Sequence, residues 1–293
     1  MPKSARPALR LVRERKLGEL ITLPQRAAVL EASGVEVKGG DYFVVFDNIR
    51  RAARIGADLT PGSPRHAWVG RWRSGEGYED VTYGGRQRRF YLLIEAEKHP
   101  DGSYKAVIEE CDDAWRFKGR RWVDVPFDTR NRGFEGLAAA RWRGVDYLLA
   151  LCEGNKGKSG REGRQRGGGR IYVLKQVGEL WESVAVIKLP RHLDFRDYSA
   201  VSLRGTRLAV ASQHSARVWI GTLRPGVWKI VGAGKTYDLP RTKKGKRRYF
   251  TVEGLAWLTA NTFAMVSDLR KRKHPERAGK TDQSIHIFRV PPG

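Results

Sequence analysis

The chain has 293 residues, room for one large domain or two ordinary ones, and its 40% hydrophobic content with nine Trp, ten Tyr and ten Phe excludes global disorder. Lys and Arg outnumber Asp and Glu by 56 to 32, and the resulting formal charge of +24 favours an anionic partner unless it serves solubility alone. Two cysteines, Cys111 and Cys152, can build neither a disulfide framework nor a cysteine-based zinc site and read as free thiols.

The basic N-terminus lacks the apolar core of a secretory signal, and no apolar run approaches the length of a membrane span. The expectation is a cytoplasmic protein with no membrane partner, monomeric by default. In chain order, residues 1–7 form a loose basic tail and residues 8–24 a strand, extended from Leu9 to Leu23 and closing at Pro24. After it the chain repeats a pattern. The clearest copies are Gly133-Phe134-Glu135-Gly136-Leu137-Ala138 and Val252-Glu253-Gly254-Leu255-Ala256-Trp257. Looser copies stand at Ala32-Ser33-Gly34-Val35-Glu36, Tyr78-Glu79-Asp80-Val81-Thr82 and Tyr198-Ser199-Ala200-Val201-Ser202.

Each copy opens a strand: Gly34–Val37, Asp80–Tyr83, Gly136–Ala139, Ala200–Leu203 and Gly254–Leu258. A short turn and a continuous apolar run follow, at Tyr42–Phe46, Phe90–Ile94, Tyr147–Leu151, Leu208–Ala211 and Phe263–Val266, the signature of strands covered on both faces. Third strands read as Tyr104–Glu109, Arg170–Leu174, Ala216–Leu223 and Ser284–Val290, with a faint one at Ala53–Ile55. Outer strands fall at Arg121–Pro126, Trp181–Pro190 and Trp228–Pro240. Helical periodicity is almost absent.

Four strands per unit and five units predict an all-β protein: a five-bladed β-propeller of four-stranded blades, one domain, with blades near 33–76, 78–129, 134–191, 198–240 and 252–291. The last unit ends without its outer strand, so the N-terminal strand is predicted to close the ring. A β-sandwich is the weaker alternative.

In a propeller the inner strands line a central channel. The five anchors, Ser33, Glu79, Glu135, Ser199 and Glu253, should therefore converge on its axis. Three carboxylates meeting there repel unless a cation lies between them, and Ca²⁺ accepts such a wide oxygen cage more readily than Mg²⁺. The alternative is that each side chain bonds to neighbouring backbone. The order Ser, Glu, Glu, Ser, Glu around five blades resembles the calcium-activated apyrases. That resemblance implies a Ca²⁺ held by the five anchors and hydrolysis of phosphoanhydrides. The Glu-Gly-Leu-Ala wording is also similar to the phytase-like or esterase-like bacterial propellers.

A second set of polar residues ends the apolar runs: Asp47, Asn48, Glu95, Glu97, Glu153, Asn155, His214, Asp268 and Arg270. They are expected above the anchors, as a mouth from which acid/base pairs could be drawn. His214 has no partner fixed by sequence. Basic loops at 155–170, 241–248 and 270–280 should form a collar for phosphate, with Lys156, Lys158, Arg161, Lys243, Lys244, Lys246, Arg270 and Lys271 as candidates.

These loops could equally be solvated, or could bind a nucleic-acid backbone, although few aromatic residues stand there for base stacking. The glycine-rich loop lacks the Gly-Lys-Ser/Thr ending of a nucleotide P-loop. Two functions follow: a metal-dependent hydrolase of phosphate-bearing or other anionic small substrates, or a non-catalytic propeller binding an anionic partner around a structural ion. The hydrolase requires Glu95, Glu97, Glu153 and Asp268 near the ion; a scaffold leaves them dispersed or ion-paired.

Overall fold

A computed structural model describes residues 6–24, 29–129, 133–157, 160–269 and 281–292. The structure is all-β and propeller-like, built from antiparallel groups of four strands that pair in chain order. The first group is β2 (Ala32–Lys38), β3 (Asp41–Phe46), β4 (Ile49–Ile55) and β5 (Ala67–Val69). The second is β6 (Asp80–Gly84), β7 (Arg89–Lys98), β8 (Tyr104–Asp112) and β9 (Phe117–Phe127). β10 (Phe134–Trp142), β11 (Val145–Cys152), β12 (Arg170–Val177) and β13 (Leu180–Lys188) follow. Next come β14 (Ala200–Arg204), β15 (Arg207–Ser212), β16 (Arg217–Arg224) and β17 (Lys229–Asp238). The last group is β18 (Val252–Trp257), β19 (Thr262–Ser267) and β20 (Ser284–Arg289), completed by the N-terminal β1 (Arg10–Lys16), which pairs antiparallel with β20.

The apolar runs explain this order. β3, β15 and β19 are buried almost throughout, as second strands covered on both faces must be, whereas β17 is largely exposed at an outer edge. Among the described residues the buried apolar side chains fall into five clusters, each shared by two adjacent groups. One unites Val35 and Val44 with Ala264 and Ile285, joining the first group to the last. The inner strands touch in the same cyclic order: β2 on β6, β6 on β10, β10 on β14, β14 on β18, and β18 on β2.

Side chains rather than strand ladders satisfy several backbone N–H groups across these inner joins. Asp80 Oδ2 accepts from Leu137 N at 2.7 Å, Thr82 Oγ1 from Ala139 N at 2.9 Å, Glu36 Oε2 from Tyr83 N at 2.9 Å and Ser202 Oγ from Trp257 N at 3.2 Å.

Two expectations are corrected. The N-terminal segment is not extended to Leu23: β1 stops at Lys16 and a helical turn, α1 (Leu17–Leu20), takes over, because Leu17 and Leu20 turn down into the cluster shared by the first and last groups. The second and third groups are not separate four-stranded sheets. They form one sheet of eight, since β9 and β13 pair in parallel at Trp122 with Leu180 and Val123 with Trp181. Trp181 is drawn into this join, buried and edge-on to Tyr91 at 5.6 Å. The outer strand of the first group, β5, is only three residues long and has no apolar run to announce it. Both cysteines are free and buried, and burial pushes each thiol up to about 12.

Candidate functional site

All five anchors stand at the same end of the inner strands. Ser33, Glu135 and Glu253 are the extra residues of β-bulges: pairing with the second strand steps from Ala32 to Gly34, from Phe134 to Gly136 and from Val252 to Gly254. A bulge bends the strand and re-aims the side chain it carries. Glu79 and Ser199 immediately precede β6 and β14, and their N–H groups donate to Leu93 O at 2.8 Å and Ala211 O at 3.0 Å.

The residue after each anchor is Gly34, Asp80, Gly136, Ala200 or Gly254. A Cβ on Gly34 would lie 2.6 Å from Asp80 Cα, and one on Gly254 would lie 2.9 Å from Gly34 Cα. The missing side chains let neighbouring inner strands approach closely.

The two anchor serines are already engaged. Ser33 Oγ donates to Tyr78 O, and Ser199 Oγ donates to Val252 O at 3.1 Å. Each hydroxyl thus ties its own strand entry to the residue before the next anchor glutamate. This is the neighbouring-backbone alternative, realised for the serines.

The glutamates behave differently. Burial raises Glu135 well above the usual carboxylate range, and Glu79, Glu153, Glu95 and Glu253 raise it further. Glu253 is also raised well above that range, by burial and then by Asp268, Glu79 and Asp47, although Gln213 Nε2 donates to its Oε1 at 2.7 Å. Glu95 is pushed to about 8 by burial and by Glu79 and Glu153. Asp47 is likewise pushed to about 8, by burial and by Glu31, Asp268 and Glu79. The mouth residues Asp47, Glu95, Glu153 and Asp268 therefore form one electrostatic cluster with the three anchor carboxyls. Glu31 belongs to the same cluster, and sequence reasoning missed it although it lies two residues before Ser33.

Such a crowd holds protons or a cation at neutral pH. The donor set is entirely oxygen, and Asp47 Oδ1 is buried without a hydrogen-bond partner. In kind and in charge these residues fit a hard divalent cation. Among the described residues, however, no three Asp, Glu, His or Cys side chains are grouped closely enough to hold one metal ion.

The other described mouth candidates are engaged with partners outside the carboxyl groups of the cluster. Glu97 pairs with Arg120 at 2.6 Å. Asn48 spans its own turn, donating to Val29 O at 3.0 Å and accepting from Glu31 N at 3.3 Å. Asn155 is fully buried and holds its loop together: its amide donates to Gly163 O at 2.9 Å, and its Oδ1 accepts from Gly168 N at 2.8 Å and Tyr198 Oη at 3.0 Å. His214 is exposed, with Nε2 3.2 Å from Arg196 Nη1 and its backbone N–H on the Asp197 carboxylate, so no carboxylate orients its ring as a base.

In the collar, Lys156, Arg161, Lys243, Lys244 and Lys246 are exposed on loops at the anchor end. Arg247 and Arg248 of the same stretch instead bind inward, Arg247 Nη1 to His214 O at 3.0 Å and Arg248 Nη2 to Glu14 at 2.8 Å. Lys158, Arg270 and Lys271 lie outside the described residues.

No family model matches the chain, and no curated protein matches its sequence. Among solved structures it is similar to the glutaminyl cyclase of Myxococcus xanthus, with a TM-score of 0.51 and 11% identity over 97% of each chain. It is also similar to a mutant of the GH43 protein BlXynB from Bacillus licheniformis, at a TM-score of 0.51 and 8% identity, covering 94% of this chain and 53% of that one. At such identities the likeness is one of fold, and that fold is propeller-like. No helix among the described residues is long and apolar enough to cross a membrane.

Proposed function

We propose that the chain is a five-bladed β-propeller whose channel mouth binds a divalent cation, Ca²⁺ by its donor chemistry, and hydrolyses small phosphoester or phosphoanhydride substrates there. The five-blade count is supported by the cyclic contacts of the inner strands and the five apolar clusters, with the second and third blades sharing an edge through β9 and β13. The apyrase resemblance rests on the order of the anchors. The observation that carries the reading is that Glu95, Glu153 and Asp268 act directly on the anchor carboxyls Glu135 and Glu253. Three of the four carboxyls that a hydrolase requires thus lie within electrostatic reach of the anchors, while Glu97 pairs with Arg120.

A bound Ca²⁺ would neutralise the ring and polarise a phosphoryl oxygen. The chain's own groups supply the proton chemistry: Asp47 and Glu95, both raised by burial and by neighbouring carboxyls in the ion-free chain, are the mouth groups that can hand a proton to a departing oxygen. Glu153 is exposed at the rim, where it can orient water. Lys156, Lys243, Lys244 and Lys246, at the same end, draw in phosphate.

A second reading, a non-catalytic propeller holding a structural ion and binding a nucleic acid or an acidic protein, is favoured by the anchor serines, which serve as ties between strands. A thermal-shift titration of chelator-treated protein with Ca²⁺, Mg²⁺ and Mn²⁺, followed by phosphate release from nucleotides and aryl phosphates, separates the two. Ca²⁺-selective stabilisation lost in Glu135→Gln, together with Ca²⁺-dependent release lost in Glu95→Gln, supports the enzyme. Stabilisation without turnover supports the scaffold. No response to any ion removes the cation from both readings.

A further inference from the structure

A cavity of about 280 Å³ opens between the second and third strand groups, at the end of the inner strands opposite the anchors. It is bounded by Tyr83 and Gly84 at the close of β6 and by Ala139–Arg141 late in β10, whereas the anchors stand where these strands begin. Gly84 shapes it, since a Cβ there would lie 2.8 Å from the Tyr91 ring. Aromatic residues from three strands, Tyr91, Tyr147 and Trp181, line it.

Two of its lining residues are incomplete. Trp181 is 1% exposed, and its indole Nε1–H, a donor that cannot accept, is buried with no hydrogen-bond partner among the described residues. Asp146 Oδ2, an acceptor, is also buried with no hydrogen-bond partner among the described residues; the other oxygen of this carboxylate lies 4.0 Å from Arg141 Nε. Tyr91 Oη donates to Gln87 Oε1 at 3.2 Å, which leaves its lone pairs able to accept. Residues that line this one cavity therefore carry an unmet donor, an unmet carboxylate acceptor and a tyrosine oxygen with spare capacity, set among aromatic rings. Arg86 and Arg141 also line it and are exposed.

The chemistry of a matching occupant follows. An apolar molecule would leave the indole N–H and the carboxylate oxygen buried and unpaired, and so would gain nothing from either. A free inorganic anion would meet Asp146. A hydroxyl group both donates and accepts, so neighbouring hydroxyls on one small ring can give a proton to Asp146 Oδ2 and take one from Trp181, while the ring's C–H face packs on the tyrosines. A single water could bridge the two groups, but the volume exceeds what one water fills and approaches that of small-ligand sites. We propose that this cavity is a binding site for a sugar-sized polyol, recognised by Asp146 and Trp181, with the two arginines able to receive a phosphate if the polyol carries one. The site is separate from the carboxyl cluster and goes beyond the hydrolase reading.

Calorimetric titration of the full chain with a panel of hexoses and pentoses, glucose 6-phosphate and inorganic phosphate tests it. Saturable binding of at least one sugar or sugar phosphate is expected, weakened about tenfold or more by Asp146→Asn, which loses a charge-assisted hydrogen bond. Trp181→Phe should weaken binding in the same way. If that buried substitution fails to fold, the partly exposed Asp146→Asn carries the test alone. Tighter binding of glucose 6-phosphate than glucose, lost on raising the salt, assigns the arginines to phosphate; equal binding assigns a neutral polyol. The proposal is overturned if no sugar in the panel binds, if inorganic phosphate alone binds, or if sugar binding survives Asp146→Asn unchanged. The Ca²⁺ response of Asp146→Asn should match that of the parent chain, so failure here leaves the cation reading standing.

Discussion

Ser267 Oγ and His286 Nε2 are 2.7 Å apart, and both residues are buried. On the other side of the imidazole, His286 Nδ1 lies 2.9 Å from Glu14 Oε2. The chain Ser267–His286–Glu14 has the connectivity of a nucleophilic triad. Its place in the fold gives it another task. It runs outward across β19, β20 and β1, fastening the N-terminal strand to the last strand group, and Arg248 and Tyr249 bind the same Glu14.

His286→Ala should therefore cost roughly 2–4 kcal/mol by opening a cavity and leaving Glu14 and Ser267 unpaired. Hydrogen exchange should show the β1 amides losing protection first. Burial lowers the imidazole pKa below its usual 6.5, so the native state holds this histidine neutral while the unfolded chain protonates it. The stability it contributes is present above about pH 6.5 and is lost as the pH falls towards the lowered value. Glu14, itself lowered from 4.5, adds a loss of the same sign at more acid pH. Equal protection of β1 in parent and variant would remove the latch.

Gly34 should tolerate no side chain. A Cβ there would stand 2.6 Å from Asp80 Cα, a backbone atom of the neighbouring inner strand. Gly34→Ala is expected to lower stability by roughly 1–3 kcal/mol through overpacking. The control is Ala200→Gly: position 200 follows the anchor Ser199 as Gly34 follows Ser33, yet already carries a Cβ. The control should change stability far less, and comparable melting temperatures for the two variants would contradict the close approach.

The strand order was legible because each blade repeats one hydrophobic phrase, and the buried second strands spell it most plainly. β5 was not legible, since three half-buried residues carry no periodicity. The anchors could be found because the Glu-Gly-Leu-Ala wording recurs, but the destiny of each oxygen could not. Ser33 and Glu135 occupy equivalent bulges of β2 and β10, and only the neighbouring backbone decides that the serine hydroxyl reaches Tyr78 O. Asn155 looked like a mouth residue because it follows an apolar run; the fold of its own loop turns it inward. Glu31 and Asp146 sit in no recurring pattern, and Trp181, which opens an outer strand, gives no sign in the sequence that it meets Tyr91.

The carboxyl cluster should give the metal-free protein a pH dependence opposite to that of His286. Asp47 and Glu95 are raised to about 8, and Glu135 and Glu253 well above the carboxylate range. Groups raised in the native state contribute stability below the unfolded carboxylate range of about pH 4 and lose it as the pH climbs through the native values. From this cluster, chelated protein should melt at progressively lower temperature between pH 5 and 9, with the stabilisation by saturating Ca²⁺ growing over the same range. Glu135→Gln should flatten both slopes. A Ca²⁺ effect independent of pH would place the ion elsewhere.

Neutralising the collar should act through charge alone. Lys243, Lys244 and Lys246 are exposed on a tight turn held by its own backbone, with Gly245 N on Thr242 O at 2.8 Å and Thr242 N on Lys246 O at 2.9 Å. The triple change to Gln removes three charges from the anchor end while leaving those bonds intact, so the melting temperature should hold within a degree or two. Association with a phosphate-bearing ligand should slow and weaken most at low ionic strength, because attraction between exposed charges fades beyond about 10 Å at 0.1 M salt. Affinity measured across a salt series decides the matter. A loss that shrinks as salt rises is the signature of electrostatic recruitment, whereas an equal loss at every ionic strength would mean that the turn makes a direct, shape-dependent contact.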